Sequence, residues 1–131
     1  MEVDHVGIAV RNLDEAERRW SPLLGAPEGA PEAVPSQKVR VLFLSAGGSH
    51  VELLEPLSAD STLARYLESR GEGFHHVAFR VPSVDQALAD LKASGRRVVD
   101  EQGRPGARGR RVGFAHPSAF GGVLVEFVEA P

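Results

Sequence analysis

The chain repeats itself. "DHVGIAVRNLDEAERRW", beginning at Asp4, is echoed by "HHVAFRVPSVDQALADL", beginning at His75. Aligned without gaps, His5 falls on His76, Val6 on Val77, Val10 on Val81, Asp14 on Asp85 and Ala16 on Ala87. The halves also close alike, "VELLEP" at Val51 being answered by "VEFVEA" at Val125. A match at both ends, in the same order, marks an internal duplication. Neither copy can bury its sheet face alone, so a pseudo-twofold pairing is expected, within one chain or between chains.

The periodicity says what each copy is. Both begin with about six residues of apolar and small or polar alternation, the period of a half-buried strand, and then change to helical spacing. In the first copy Asn12 is the expected cap, Leu13, Ala16, Trp20 and Leu24 form the apolar stripe, and Gly25 is the stop. In the second, Ser83 and Gln86 predict a capping box, Leu88 and Leu91 share a face, and Gly95 ends the helix. "LGAPEGAPEAVPS" reads as a connection, and "QKVRVLFLS" and "HVELLEPLS" as strands turning at Gly47-Gly48. "RRVVD", "RRVGFAH" and "GGVLVEFVEA" take the corresponding parts later. The expectation is an α+β fold of two βαβββ modules in one domain spanning 1–131: module one at about 1–57, a linker helix at about 58–72 and module two at about 73–131. Ser58 or Asp60 is the expected cap of the linker helix and Gly71 its stop.

The strand alternation then sorts side chains by chemistry. Val6, Ile8 and Val10 share one face, His5, Gly7 and Ala9 the other; the later strand divides Val77, Phe79 and Val81 from His76, Ala78 and Arg80. In the closing strands Glu52 and Glu126 stand among apolar residues, where an ionised carboxylate is costly unless paired or bound to a cation. The chain has no cysteine, which excludes disulfides, thiolate ligands and thiol nucleophiles. One His and one Glu from each half, His5, Glu52, His76 and Glu126, make a first shell for a divalent ion such as Zn, Co, Ni or Mn. His75 alternates to the opposite face from His76, where a structural or interface role is expected, and His50 at the hairpin end is expected to face solvent.

The formal charge of −3 gives no general attraction to nucleic acid or anionic membrane. No run approaches the roughly 20 apolar residues of a membrane span. The first apolar run carries His5 and meets Arg11 and Asp14, unlike a signal peptide, so a cytoplasmic protein is expected. "GRPGARGRR" clusters Arg104, Arg108, Arg110 and Arg111; it reads either as a solvated loop or as a basic rim for an anionic substrate.

Three stretches carry a resemblance: "DHVGIAVRNLDEA", "LLEPLSADSTLARYLESRGEGFHHVAF" and "HPSAFGGVLVEF". On them the chain resembles the vicinal oxygen chelate (glyoxalase-like) superfamily and, within it, the methylmalonyl-CoA epimerase family. The resemblance implies a curved mixed sheet holding a divalent metal on His5, Glu52, His76 and Glu126, an acyl-CoA thioester substrate, a homodimer, and inversion at the carbon between thioester and carboxylate. It also implies a substrate cavity lined by the loop holding His116; Gln37 is a further candidate for that lining, and in the basic-rim reading Arg104 and Arg108 meet coenzyme A phosphates or the substrate carboxylate. Inversion needs proton transfer on two faces of the substrate. Some epimerases have a non-ligand glutamate as one base where this chain has Val41, and a glutamine ligand where it has Glu52; a lysine common in the family is replaced by Ser118. The expectation is therefore that Glu126 and Glu52 share the two proton transfers. A glyoxalase-type isomerase acting on a hemithioacetal would use the same four ligands, and a non-catalytic binding protein of the same fold is the alternative outside catalysis.

Overall fold

In a computed structural model that describes residues 1–130, the chain forms two compact units, one of His5–His75 and one of Met1–Asp4 with the chain from His76 onward. The unit boundary falls inside the first strand, β1 (Glu2–Ala9), so that strand serves both.

In the first unit, β1 is followed by helix α1 (Leu13–Leu24), β2 (Glu32–Val34), β3 (Val39–Ala46) and β4 (Ser49–Pro56). β2 and β4 pair antiparallel with β3, and β4 runs parallel to β1. Asn12 caps α1 as expected, its side chain accepting the Glu15 N–H at 2.9 Å, and Gly25 ends it at φ +89°, a conformation glycine adopts at little cost. Leu13 and Ala16, with Trp20 and Leu24, pack on Val6 and Ile8 of β1, Val10 just after it, Leu42 and Leu44 of β3, and Val51 and Leu53 of β4. Leu44 and Leu53 are fully buried, each worth about 2 kcal/mol of apolar burial. Helix α2 (Thr62–Arg70) closes this unit.

The second unit repeats the plan with β5 (Gly73–Val81), helix α3 (Val84–Ala93), β6 (Arg104–Pro105), β7 (Arg111–Ala115) and β8 (Val125–Glu129). β8 is parallel to β5 and antiparallel to β7, and β6 is antiparallel to β7. Val84 and Leu88 of α3 pack on Val81, Ala115, Val125 and Phe127, with Val77, Phe79 and Leu91 beside them. Hydrogen bonds link the strands in the order β2-β3-β4-β1-β5-β8-β7-β6.

Each module ties its helix to its closing strand in the same way. The Leu13 N–H donates to Glu55 Oε2 at 2.7 Å, and the Val84 N–H to Glu129 Oε2 at 2.9 Å. Both carboxylates stand at a helix N-terminus, where unsatisfied N–H groups and the helix dipole favour negative charge.

Three local expectations are revised. The connection read in "LGAPEGAPEAVPS" contains β2, while "RRVVD" forms only the isolated bridge Val98–Ala115; the edge strand of the second module is β6, inside the arginine-rich loop. The cap of α2 is Ser61, which accepts the Ala64 N–H at 3.1 Å, because Ser58 Oγ instead donates to Asp60 Oδ1 at 2.7 Å. Ser83 does cap α3, at 3.1 Å from the Gln86 N–H, but the Gln86 side chain donates to Asp90 one turn on, at 2.7 Å. Among the described residues no helix is long and apolar enough to cross a membrane.

Two predictions follow from this packing. A Cβ added at Gly113 would lie 2.8 Å from Leu88 Cδ1 and 2.9 Å from Val84 Cγ1, so Gly113→Ala should push α3 off β7 and cost about 1–3 kcal/mol in denaturant unfolding. Glu72 accepts the Arg11 N–H at 2.7 Å and an Arg19 guanidinium contact at 3.2 Å, and the first of these chiefly holds its carboxyl below the usual range. A depressed folded-state value means a contribution present above the unfolded value and lost as pH falls through the folded one. Glu72→Gln should therefore be less stable than wild type at pH 7, by about 0.5–1 kcal/mol, and the gap should close in acid. An unchanged gap at pH 3 would contradict this.

Candidate active site

With the helices covering one face of each module, the other face carries the polar residues. In the first unit β1 and β4 are parallel with Gly7 opposite Glu52, so a bare backbone flanks the carboxylate and leaves it room to turn toward His5. His5 Nε2 and Glu52 Oε1 are 3.3 Å apart, both side chains almost fully buried. In the second unit Ala78 stands opposite Glu126, and His76 Nε2 and Glu126 Oε1 are 3.1 Å apart. One phenylalanine backs each pair. Phe43, opposite Glu52, stands edge-on to His5 with centroids 5.7 Å apart; Phe114, opposite Glu126, stands edge-on to His76 at 5.9 Å.

These phenylalanines were not singled out from the sequence. Their signal was the second repeat in the chain, Val41-x-Phe43 against Val112-x-Phe114, at the same spacing that relates His5 to His76. The edge of a phenyl ring fixes an imidazole's tilt without competing for its nitrogens.

A nitrogen or carboxylate oxygen from each of His5, Glu52, His76 and Glu126 lies within 4.8 Å of the others, and all four residues are buried. Four atoms held about 2.1 Å from one ion in a tetrahedron are about 3.4 Å apart, so the set would have to draw in by up to about 1.4 Å to surround a four-coordinate ion. The donor chemistry also fits: two imidazoles suit zinc, cobalt, nickel or manganese, and two carboxylates balance the charge of a divalent ion. Nothing in these four residues favours a monovalent or a soft ion.

Asp4, one residue before His5, is buried. It accepts Arg110 Nη2 at 2.8 Å and Nη1 at 3.1 Å, and Arg80 Nε at 2.8 Å, while Arg110 Nε donates to the Glu129 carbonyl at 2.8 Å. The start of β1 is thereby fixed within the second unit.

The remaining residues fall into different settings. Arg104 is partly buried, its guanidinium 5.5 Å over the Phe114 ring and its Nε 3.2 Å from Asp100. Arg108 is exposed, in a left-handed conformation at φ +60°. Gln37 ends a 3-10 turn, Pro35–Gln37, and is half-buried. His116 caps the turn Pro117–Phe120, its Nδ1 accepting the Ser118 N–H at 3.1 Å, which leaves Nε2 to carry the proton of a neutral ring. His75 packs edge-on to Tyr66 at 4.9 Å. His50, expected to face solvent, is instead mostly covered: its Nε2 is 3.1 Å from Glu28, and it stands edge-on to Phe43. Val41 is buried and apolar, opposite Leu54.

Against known proteins, residues 4–114 match the Glyoxalase/Bleomycin resistance protein/Dioxygenase superfamily. The chain is 40% identical over 129 residues to the mitochondrial methylmalonyl-CoA epimerase of Bos taurus, covering 98% of this chain and 74% of that protein. It is 39% identical over 127 residues to the ethylmalonyl-CoA/methylmalonyl-CoA epimerase of Cereibacter sphaeroides, covering 95% and 94%. A solved structure of a variant Streptomyces coelicolor methylmalonyl-CoA epimerase with 2-nitronate-propionyl-CoA superposes with a TM-score of 0.93 at 35% identity, covering 99% of this chain and 94% of that one.

If the four side chains hold one ion, metal-free protein titrated with Co²⁺ or Zn²⁺ in a calorimeter should bind one equivalent per chain. His76→Ala should weaken binding at least about a hundredfold, since removing a ligand costs more than the ten- to hundredfold typical of second-shell changes. Unchanged affinity in that variant would place the ion elsewhere.

Proposed function

Because the chain belongs to the Glyoxalase/Bleomycin resistance protein/Dioxygenase superfamily, we propose that it is a metal-dependent epimerase interconverting the 2R and 2S forms of methylmalonyl-CoA. The observation that carries this reading is the pair of buried His–Glu couples, one per module, in a chain with relatives over nearly its whole length that are named for that reaction. A substrate of the acyl-CoA class is supported by the ligand bound to the Streptomyces coelicolor enzyme.

In this reading His5, Glu52, His76 and Glu126 hold the ion. The chemistry a divalent ion supplies when bound there is neutralisation of the negative charge that grows on the acyl oxygens as the α-proton leaves. The protein's own part is positioning and proton transfer. Glu126 takes the α-proton on one face of the substrate and Glu52 returns one on the other; the reverse direction exchanges their roles. Val41 has no group that could share this work. Phe43 and Phe114 keep water from the reacting carbon and hold the two imidazoles. Gln37 and His116 line the acyl end, and Arg104 and Arg108 meet the substrate's anionic groups. The enzyme acts in the cytoplasm as a homodimer.

The symmetric set of two histidines and two glutamates would also serve a glyoxalase-type isomerase acting on a hemithioacetal. Incubating the metal-loaded protein with one stereoisomer of methylmalonyl-CoA in deuterated water separates the two. The epimerase reading requires α-hydrogen exchange together with loss of stereochemical purity; inertness would contradict it. Within that assay Glu52→Gln with metal still bound should slow epimerisation by about a hundredfold or more. An undiminished rate would remove Glu52 from the proton transfers.

A further inference from the structure

On the two short edge strands the duplication places opposite charges at equivalent positions. Glu32 on β2 is paired directly with Val41 on β3, and Arg104 on β6 directly with Val112 on β7. Val41 and Val112 correspond, since each lies two residues before the phenylalanine that backs its module's histidine. Directly opposed residues of an antiparallel pair project from the same face, with Cβ atoms about 5 Å apart. Glu32 therefore stands on the face of its module that carries His5, Glu52 and Phe43, and Arg104 on the face of its module that carries His76, Glu126 and Phe114. One architectural position holds a carboxylate in the first module and a guanidinium in the second.

Arg104 is also held in place. Its guanidinium lies 5.5 Å over the Phe114 ring, and Asp100 meets its Nε edge at 3.2 Å while accepting the Phe114 N–H at 2.9 Å through the other oxygen. The cation is thus fixed against the ring that stands edge-on to His76. Glu32 is half-buried on the short edge strand.

An acyl group that chelates through two oxygens on a three-carbon unit is itself nearly symmetric. Two histidines and two glutamates, one of each from each copy of the repeat, offer such a group the same kinds of donor in either direction. They cannot tell its carboxylate end from its thioester end; opposite charges at equivalent positions can. We propose that Glu32 and Arg104 are a specificity-determining pair that orients an acyl-CoA whose acyl group ends in a carboxylate. Arg104 draws the carboxylate toward the second module, and Glu32 repels it from the first. This assignment rests on the acyl-CoA reading given above.

The test compares malonyl-CoA, which carries the terminal carboxylate, with acetoacetyl-CoA, which keeps both chelating oxygens and the whole of coenzyme A but ends in a neutral ketone. Dissociation constants are measured by calorimetry on metal-loaded protein. Arg104→Gln should weaken malonyl-CoA about tenfold or more and acetoacetyl-CoA less than about twofold, the difference expected for one charge-assisted hydrogen-bonded fork. Glu32→Gln should tighten malonyl-CoA and leave acetoacetyl-CoA unchanged. Arg104→Lys, which keeps the charge and guards against a folding artefact, should retain most of the preference. If Arg104→Gln weakens both probes alike, Arg104 serves coenzyme A rather than the acyl carboxylate and this assignment falls while the acyl-CoA reading stands. If the wild type binds neither probe, the acyl-CoA reading itself falls, and this one with it.

Discussion

Two carboxylates buried in apolar strands are the constraint on which the rest of this molecule turns. Glu52 is 6% exposed and Glu126 4%. Moving an ionised carboxylate out of water costs several kcal/mol even after relaxation, and a neutral imidazole can return part of that through one hydrogen bond but brings no opposing charge. A divalent cation held by this set would offset both carboxylate charges at once and would leave both imidazoles neutral, as ligands must be. The surrounding residues fit that account. Gly7 and Ala78 leave space beside each carboxylate, and Phe43 and Phe114 tilt each imidazole.

Duplication is an economical way to reach such a site. Each module needs only one histidine on its first strand and one glutamate on its last, with the strands parallel and adjacent, as β1 and β4 or β5 and β8 are. The glutamate three residues further on, Glu55 or Glu129, then reaches the first N–H of the module's helix. A single short strand thus sets a carboxylate beside the histidine on one face and seats the helix on the other. That coupling explains why "VELLEP" and "VEFVEA" repeat their second glutamate as faithfully as their first.

Much of this was legible in the sequence because the features involved are local or periodic. Alternation assigned His5 and His76 to the face opposite the helices, Glu52 and Glu126 stood out as carboxylates among apolar residues, and Asn12, Ser83, Gly25 and Gly71 marked helix ends through their own backbone chemistry. What was not legible depended on partners distant in sequence. β2 and β6 are too short to show a period, and exist because β3 and β7 offer them an edge. Ser61 outcompetes Ser58 and Asp60 as a cap because those two bond each other. His50 lies at a hairpin end, where exposure is the default, but Glu28 and Phe43 cover it. The opposed charges of Glu32 and Arg104 become comparable only once the strand registers place them at one position.

The central claim is that one His–Glu couple from each module joins a single metal centre. X-ray absorption at the cobalt edge, on protein loaded with one equivalent of Co²⁺, measures that first shell directly. The account predicts one ion per chain, ligated by oxygen and nitrogen only, with the scattering pattern of two imidazole rings that falls to one ring in either His5→Ala or His76→Ala. A shell containing a single imidazole in the wild type, or one left unchanged by either substitution, would contradict it.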